Sequence, residues 1–286
     1  MKRMLALLGC LLLLALSACS ESESPAQVAA TTLPVYEFTA AICDGTEISV
    51  TRLVTESVSC LHDYSLNVRQ VKAVEAAEVI VISGAGLEEF MEDLLQGREI
   101  IDASAGITLL EGDDHEDGHS HEADPHIWLS PANAGSMAET ICAGLSERYP
   151  QHAQQFSDNL EALLAQLNAL QAYGDAQLAS LSCRELITFH DGFAYFAQAF
   201  DLTILHSMEE ESGSEASASE LKELIQLVRS YQLPAIFTET NGSTSAAGVI
   251  RAETGAAVFS LDMAMAGDSY FTAMYHNIDT IKEALE

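Results

Sequence analysis

The chain has 286 residues and a formal net charge of −31, with 43 acidic side chains against 12 basic ones. That balance excludes a nucleic-acid partner, whose phosphates need basic contacts, and concentrates cations near the surface instead. The length suits one large domain or two lobes with a sizeable core.

The N-terminus reads as a processing signal. Lys2 and Arg3 precede a short apolar run, Leu5 to Leu14, too brief to span a bilayer, and Leu16-Ser17-Ala18-Cys19 has the form of a bacterial lipoprotein cleavage box. Residues 1–18 are then a signal peptide, Cys19 the lipidated residue, and 19–26 a polar tether. This makes the protein exported and anchored to the outer face of the cell membrane by acyl chains. Of the remaining cysteines, Cys43, Cys60, Cys142 and Cys183 form an even set in an exported chain. They allow three connectivities, of which Cys43–Cys60 with Cys142–Cys183 is preferred; Cys60 is alternatively a thiolate ligand beside His62.

Strand and helix patterns alternate from Gln27 onward. Strands are expected over Gln27–Leu33, Glu47–Val54, Glu78–Ser83 and Glu99–Asp102. Helices are expected from Pro34 to Ile42, from the Asn67 cap to Ala77, and from Gly86 to Leu95. The continuous Val79-Ile80-Val81-Ile82 run suits a strand buried on both faces of a parallel sheet. Residues 111–124 form an acidic loop carrying His115, His119 and His121, an auxiliary metal-collecting segment or a merely solvated linker. After Pro131 come a helix to Arg148 and one long helix, His152 to Ser180, roughly 40 Å at 1.5 Å per residue. Alternation then resumes. Strands are expected at Leu186–Phe189, Thr203–Leu205, Pro234–Thr238 and Ala256–Leu261, and helices at Asp191–Phe200, Ser219–Tyr231, Ser243–Thr254 and Ser269–Leu285. The fold class is α/β, with an N-terminal lobe (27–151), a linking helix (152–181) and a C-terminal lobe (182–286).

Three histidines stand out. His62, His126 and His190 sit at or after strand ends, where open α/β sheets bind ligands, and Asp262 follows a strand of the second half. The four give three imidazoles and a carboxylate to one ion in the cleft between lobes. Glu239 at another strand end is a candidate orienter of a ligand histidine.

The motifs His62-Asp63-Tyr64, Asp124-Pro125-His126-Ile127-Trp128-Leu129, Phe189-His190-Asp191-Gly192-Phe193-Ala194-Tyr195-Phe196 and Gly267-Asp268-Ser269-Tyr270 resemble the zinc/manganese substrate-binding lipoproteins of bacterial ABC importers. The resemblance covers about Gln27 to Glu286 and departs at Leu61, where the family usually has proline. It implies two Rossmann-like lobes with parallel sheets joined by one long helix, and a single divalent metal held between them by His62, His126, His190 and Asp262. Manganese-selective relatives typically replace the third histidine with a carboxylate, so His190 favours zinc over manganese, and three nitrogens with one oxygen suit tetrahedral zinc. It also implies a monomeric, non-enzymatic carrier that delivers its ion to an ABC permease with a separate ATPase subunit. The competing functions are an exported zinc hydrolase, for which no His-Glu-x-x-His arrangement exists here, and a metal-binding surface adhesin.

Overall fold

The computed structural model describes residues 27–56, 61, 64–112, 123–208, 216–240 and 242–286. Cys19, Cys60, His62 and the loop histidines His115, His119 and His121 lie outside the described residues. Each half carries a four-stranded, wholly parallel sheet. The first contains β1 (Val28–Ala30), β2 (Val50–Arg52), β3 (Val79–Ile82) and β4 (Ile100–Asp102) in the order β2-β1-β3-β4. The second contains β5 (Glu185–Thr188), β6 (Thr203–Ser207), β7 (Ala235–Glu239) and β8 (Ala257–Leu261) in the order β6-β5-β7-β8. The halves thus share one topology. β1 and β3 are apolar and buried nearly throughout, and β7 is buried to its Glu239 end, whereas the edge strands are partly open, as the two-faced burial of a central parallel strand requires.

Local signals set most boundaries. Pro34 lies in the first turn of α1 (Leu33–Cys43), so Leu33 is helical and the first strand ends early, at Ala30. Asn67 caps α2 (Val68–Ala76) through a capping box with Gln70. The helix expected from Gly86 is reduced to a 3₁₀ turn, Glu89–Met91, and the single turn α3 (Glu92–Leu95). Its start is lost because Glu88 turns inward to accept from the Ser83 and Gly84 amides. α4 (Pro131–Arg148) is capped by Ser130, and the long helix α5 (Ala153–Gln177) has 25 residues, about 38 Å at 1.5 Å each. α6 spans only Ala194–Ala199, α7 Ala218–Tyr231, α8 Ser245–Thr254 and α9 Tyr270–Leu285.

One hydrophobic cluster runs through both halves, joining Val28, Phe38 and Trp128 to Leu163, Leu167, Leu170, Phe196, Met263 and Tyr270. Gly174, an apparent break in the α5 pattern, is a contact point: a Cβ there would lie 2.2 Å from Cε1 of Phe200. Cys142 and Cys183 are free thiols, so the expected bridge between them is not formed. Cys142 is buried in α4, while Cys183 precedes β5 with Sγ on the Glu185 side chain at 3.4 Å. Cys43 is also free, and burial with the nearby Cys142 pushes its thiol up to about 12. β6 runs past the expected end at Leu205 and includes His206. Among the described residues no helix is long and apolar enough to cross a membrane.

Candidate metal centre

His126 reaches the cleft from the first lobe. The strand before it, β4, ends at Asp102, so the path that delivers it runs well beyond a strand end. Two devices fix that path. The Asp124 amide donates to Leu110 O at 3.0 Å. From the second lobe, Tyr195 Oη accepts from the Leu110 amide at 2.9 Å and donates to Asp124 O at 3.0 Å. Leu110 and Asp124, on either side of the acidic segment, are therefore joined in a closed neck. Beyond it, Asp124 Oδ1 accepts from the His126 amide at 2.9 Å and meets His126 Nδ1 at 2.8 Å. With Nδ1 holding a proton toward that carboxylate, Nε2 is left as the basic nitrogen.

His190 comes from the second lobe, in the turn between β5 and α6; the helix expected to start at Asp191 begins only at Ala194. Its Nδ1 lies 3.6 Å from Glu239 Oε2 at the end of β7, so Glu239 stands where an orienting carboxylate would. All four of Asp124, His126, His190 and Glu239 are less than a tenth exposed. The two Nε2 atoms face each other at 3.4 Å, with ring planes at 86°. With each Nδ1 turned to a carboxylate, two basic nitrogens converge on one point, an arrangement that suits a cation between them.

Gly192 makes this convergence possible. A Cβ there would sit 2.4 Å from Met263 Cε, 2.9 Å from His190 Cδ2 and 3.1 Å from His126 Cγ. Trp128 closes the other side, with its ring centroid 5.4 Å from that of His126 and its indole N–H on Met263 O at 2.8 Å.

Asp262 follows β8. Its amide donates to Asn277 Oδ1 at 2.7 Å, and its Oδ1 accepts from the Ala264 amide at 2.7 Å. Among the described residues no group of three or more His, Cys, Asp or Glu side chains is gathered tightly enough to hold an ion. The structure brings together His126, His190, Asp124 and Glu239. Asp124 was missed as a site residue, although an Asp two positions before a histidine across a proline is a legible local signal. Of the other described histidines, His152 pairs with Glu47 at 3.0 Å, His206 is half-buried in β6, and His276 is exposed on α9.

The family described as ZnuA, zinc-uptake complex component A, periplasmic, matches residues 28–284. The zinc-binding lipoprotein AdcA of Streptococcus pneumoniae is 30% identical over 311 residues, covering 100% of this chain and 62% of that protein. The chain spans 56% of the AdcA of Streptococcus pyogenes, so these curated relatives are considerably longer. A crystal structure of ZnuA superposes with a TM-score of 0.78 at 32% identity, covering 91% of this chain and 100% of that one. A zinc-bound ZnuA lacking its residues 138–173 fits equally well, with a TM-score of 0.78. Shared sequence across nearly every described element, and two like-ordered parallel sheets bridged by one long helix, lead to one conclusion: the chain belongs to the family of the periplasmic component A of the zinc-uptake complex.

Proposed function

We propose that this protein is an extracytoplasmic, lipid-anchored carrier that captures a divalent ion, zinc before manganese, and delivers it to an ABC-type importer. It works as a monomer and catalyses no reaction; its partners are a membrane permease and the ATPase behind it. The ligands are His126 from the first lobe, His190 from the second, His62 from the segment after β2, and Asp262 after β8. The lobes are residues 27–151 and 182–286, with 152–181 linking them. Asp124 and Glu239 hold the two imidazoles in the ligating tautomer, and His115, His119 and His121 collect ions weakly ahead of the site.

One observation carries this reading. Zn–N bonds of about 2.0–2.1 Å at a tetrahedral angle set two ligand nitrogens roughly 3.3–3.4 Å apart. The Nε2 atoms of His126 and His190 are 3.4 Å apart, each on a different lobe. Binding is then favoured where both imidazoles are neutral, and it ties the lobes together.

Competitive titration of purified protein against a chelator tests the proposal. Wild type should hold about one tight zinc, and His190→Ala or His126→Ala should lose at least 10-fold to 100-fold in affinity. Deleting 113–122 should spare the tight ion, because the neck formed by Leu110, Asp124 and Tyr195 stays closed without the loop. Tight zinc in His190→Ala, or its loss on loop deletion alone, would put the site elsewhere.

A further inference from the structure

The segment 262–269 joins β8 to α9 and belongs by chain order to the second lobe, yet groups of the first lobe hold its backbone at alternate residues. Trp128 Nε1 donates to Met263 O at 2.8 Å. Arg52, the last residue of β2, donates from Nη2 to Met265 O at 3.2 Å and from Nη1 to Gly267 O at 2.8 Å. Glu37 on α1 accepts from Ser269 Oγ at 3.1 Å and from the Tyr270 amide at 2.6 Å. Arg52 is itself fixed, since Nε donates to Val54 O at 2.6 Å.

The segment needs such anchors. Ala264 stands in the left-handed region at φ 54° and Gly267 at φ 89°, conformations that an unrestrained chain rarely keeps at alanine. Its first residue, Asp262, is bound to the second lobe through two hydrogen bonds with the Asn277 side chain. The strap is thus fastened to the second lobe at its start and to the first lobe along its length. A planar guanidinium can serve two carbonyls on one strap and a third just beyond the end of its own strand, which a lysine ammonium on a flexible stem cannot match in geometry.

We infer that Arg52 and Glu37 are positioning residues for the Asp262 carboxylate: they set how the strap presents this ligand to the cleft and so govern how long the ion stays. The inference rests on the assignment of Asp262 as a ligand under the proposed function. It places a determinant of ion release on β2 and α1, outside the groups that touch the ion.

The test uses the full chain, with zinc release to a chelator and the visible absorption of the cobalt-substituted protein as readouts. Arg52→Gln should still bind one ion but release zinc roughly tenfold faster, with a changed cobalt spectrum, and Arg52→Lys should fall between. Glu37→Gln carries the same expectation and serves if Arg52→Gln does not fold. Release within about twofold of wild type and an unchanged cobalt spectrum in both variants would overturn the inference. An altered Arg52→Gln beside a wild-type-like Asp262→Asn would overturn it too, because the strap would then act through another ligand. Failure of the site assignment itself shows separately, as tight zinc retained by His190→Ala.

Discussion

Glu88 shows how one side chain can shape a lobe without touching the ion. Its carboxylate sits between the ends of β1 and β3, where it accepts from Thr31 Oγ1 at 2.6 Å, the Ser83 amide at 2.8 Å and the Gly84 amide at 3.0 Å. Burial raises its pKa from 4.5 to about 7, against the lowering effect of those donors. A carboxyl whose folded pKa is raised keeps its full contribution below the unfolded value and loses it as pH climbs through the folded one. Wild type should therefore lose on the order of 3 kcal/mol through this group between about pH 4.5 and 7. Denaturant titrations at pH 5 and 7.5 check this: Glu88→Gln should remove most of that difference relative to wild type. Equal pH dependence in the two proteins would mean that Glu88 ionises freely in the fold.

Among the elements, α5 and α6 meet through an absence of atoms. Gly174 lies in the last turn of α5, where alanine would still gain up to about 1 kcal/mol of helix propensity. Here the added methyl would lie 2.2 to 2.9 Å from three Phe200 ring atoms, and that ring is itself packed on Phe196 with centroids 4.8 Å apart. Overpacking a buried ring costs about 1–3 kcal/mol, so the clash wins. Gly174→Ala should lower stability by about 1–2 kcal/mol in chemical denaturation, and Gly174→Ala with Phe200→Leu should recover part of it. Greater stability in the single variant would show that the helices can separate at no expense to packing.

For the whole molecule, the decisive feature is a core that does not stop at the lobe boundary. Leu163, Leu167 and Leu170 of α5 share one cluster with Phe38 of the first half and Met263 and Ile278 of the second. Tyr270 adds a polar tie, donating to Trp128 O at 2.9 Å, and burial pushes its phenol well above the ordinary range. Lobes fused in this way resist large hinge rotation, which leaves local segments such as 262–269 as the adjustable parts. The metal-free protein should unfold in one calorimetric transition, with equal calorimetric and van't Hoff enthalpies. Zinc at about a thousand times its Kd should stabilise it by roughly 4 kcal/mol. Two separate transitions would show that the lobes are independent.

Much of this was legible in the residues. Alternation of apolar runs with caps such as Asn67 and breaks at Pro34 and Pro150 announces two α/β halves and a long connecting helix, because period and capping are local properties of the chain. The motifs around His126 and His190 mark candidate ligands for the same reason. Which groups meet was decided only by folding. Tyr195 on Leu110 and Asp124, Gly192 between two imidazoles, and Arg52 on carbonyls more than two hundred residues away all depend on pairings across the cleft. Sequence periodicity states which face of an element is apolar. It carries no record of which distant element will cover that face, and a metal site shared by two lobes is built from those distant contacts.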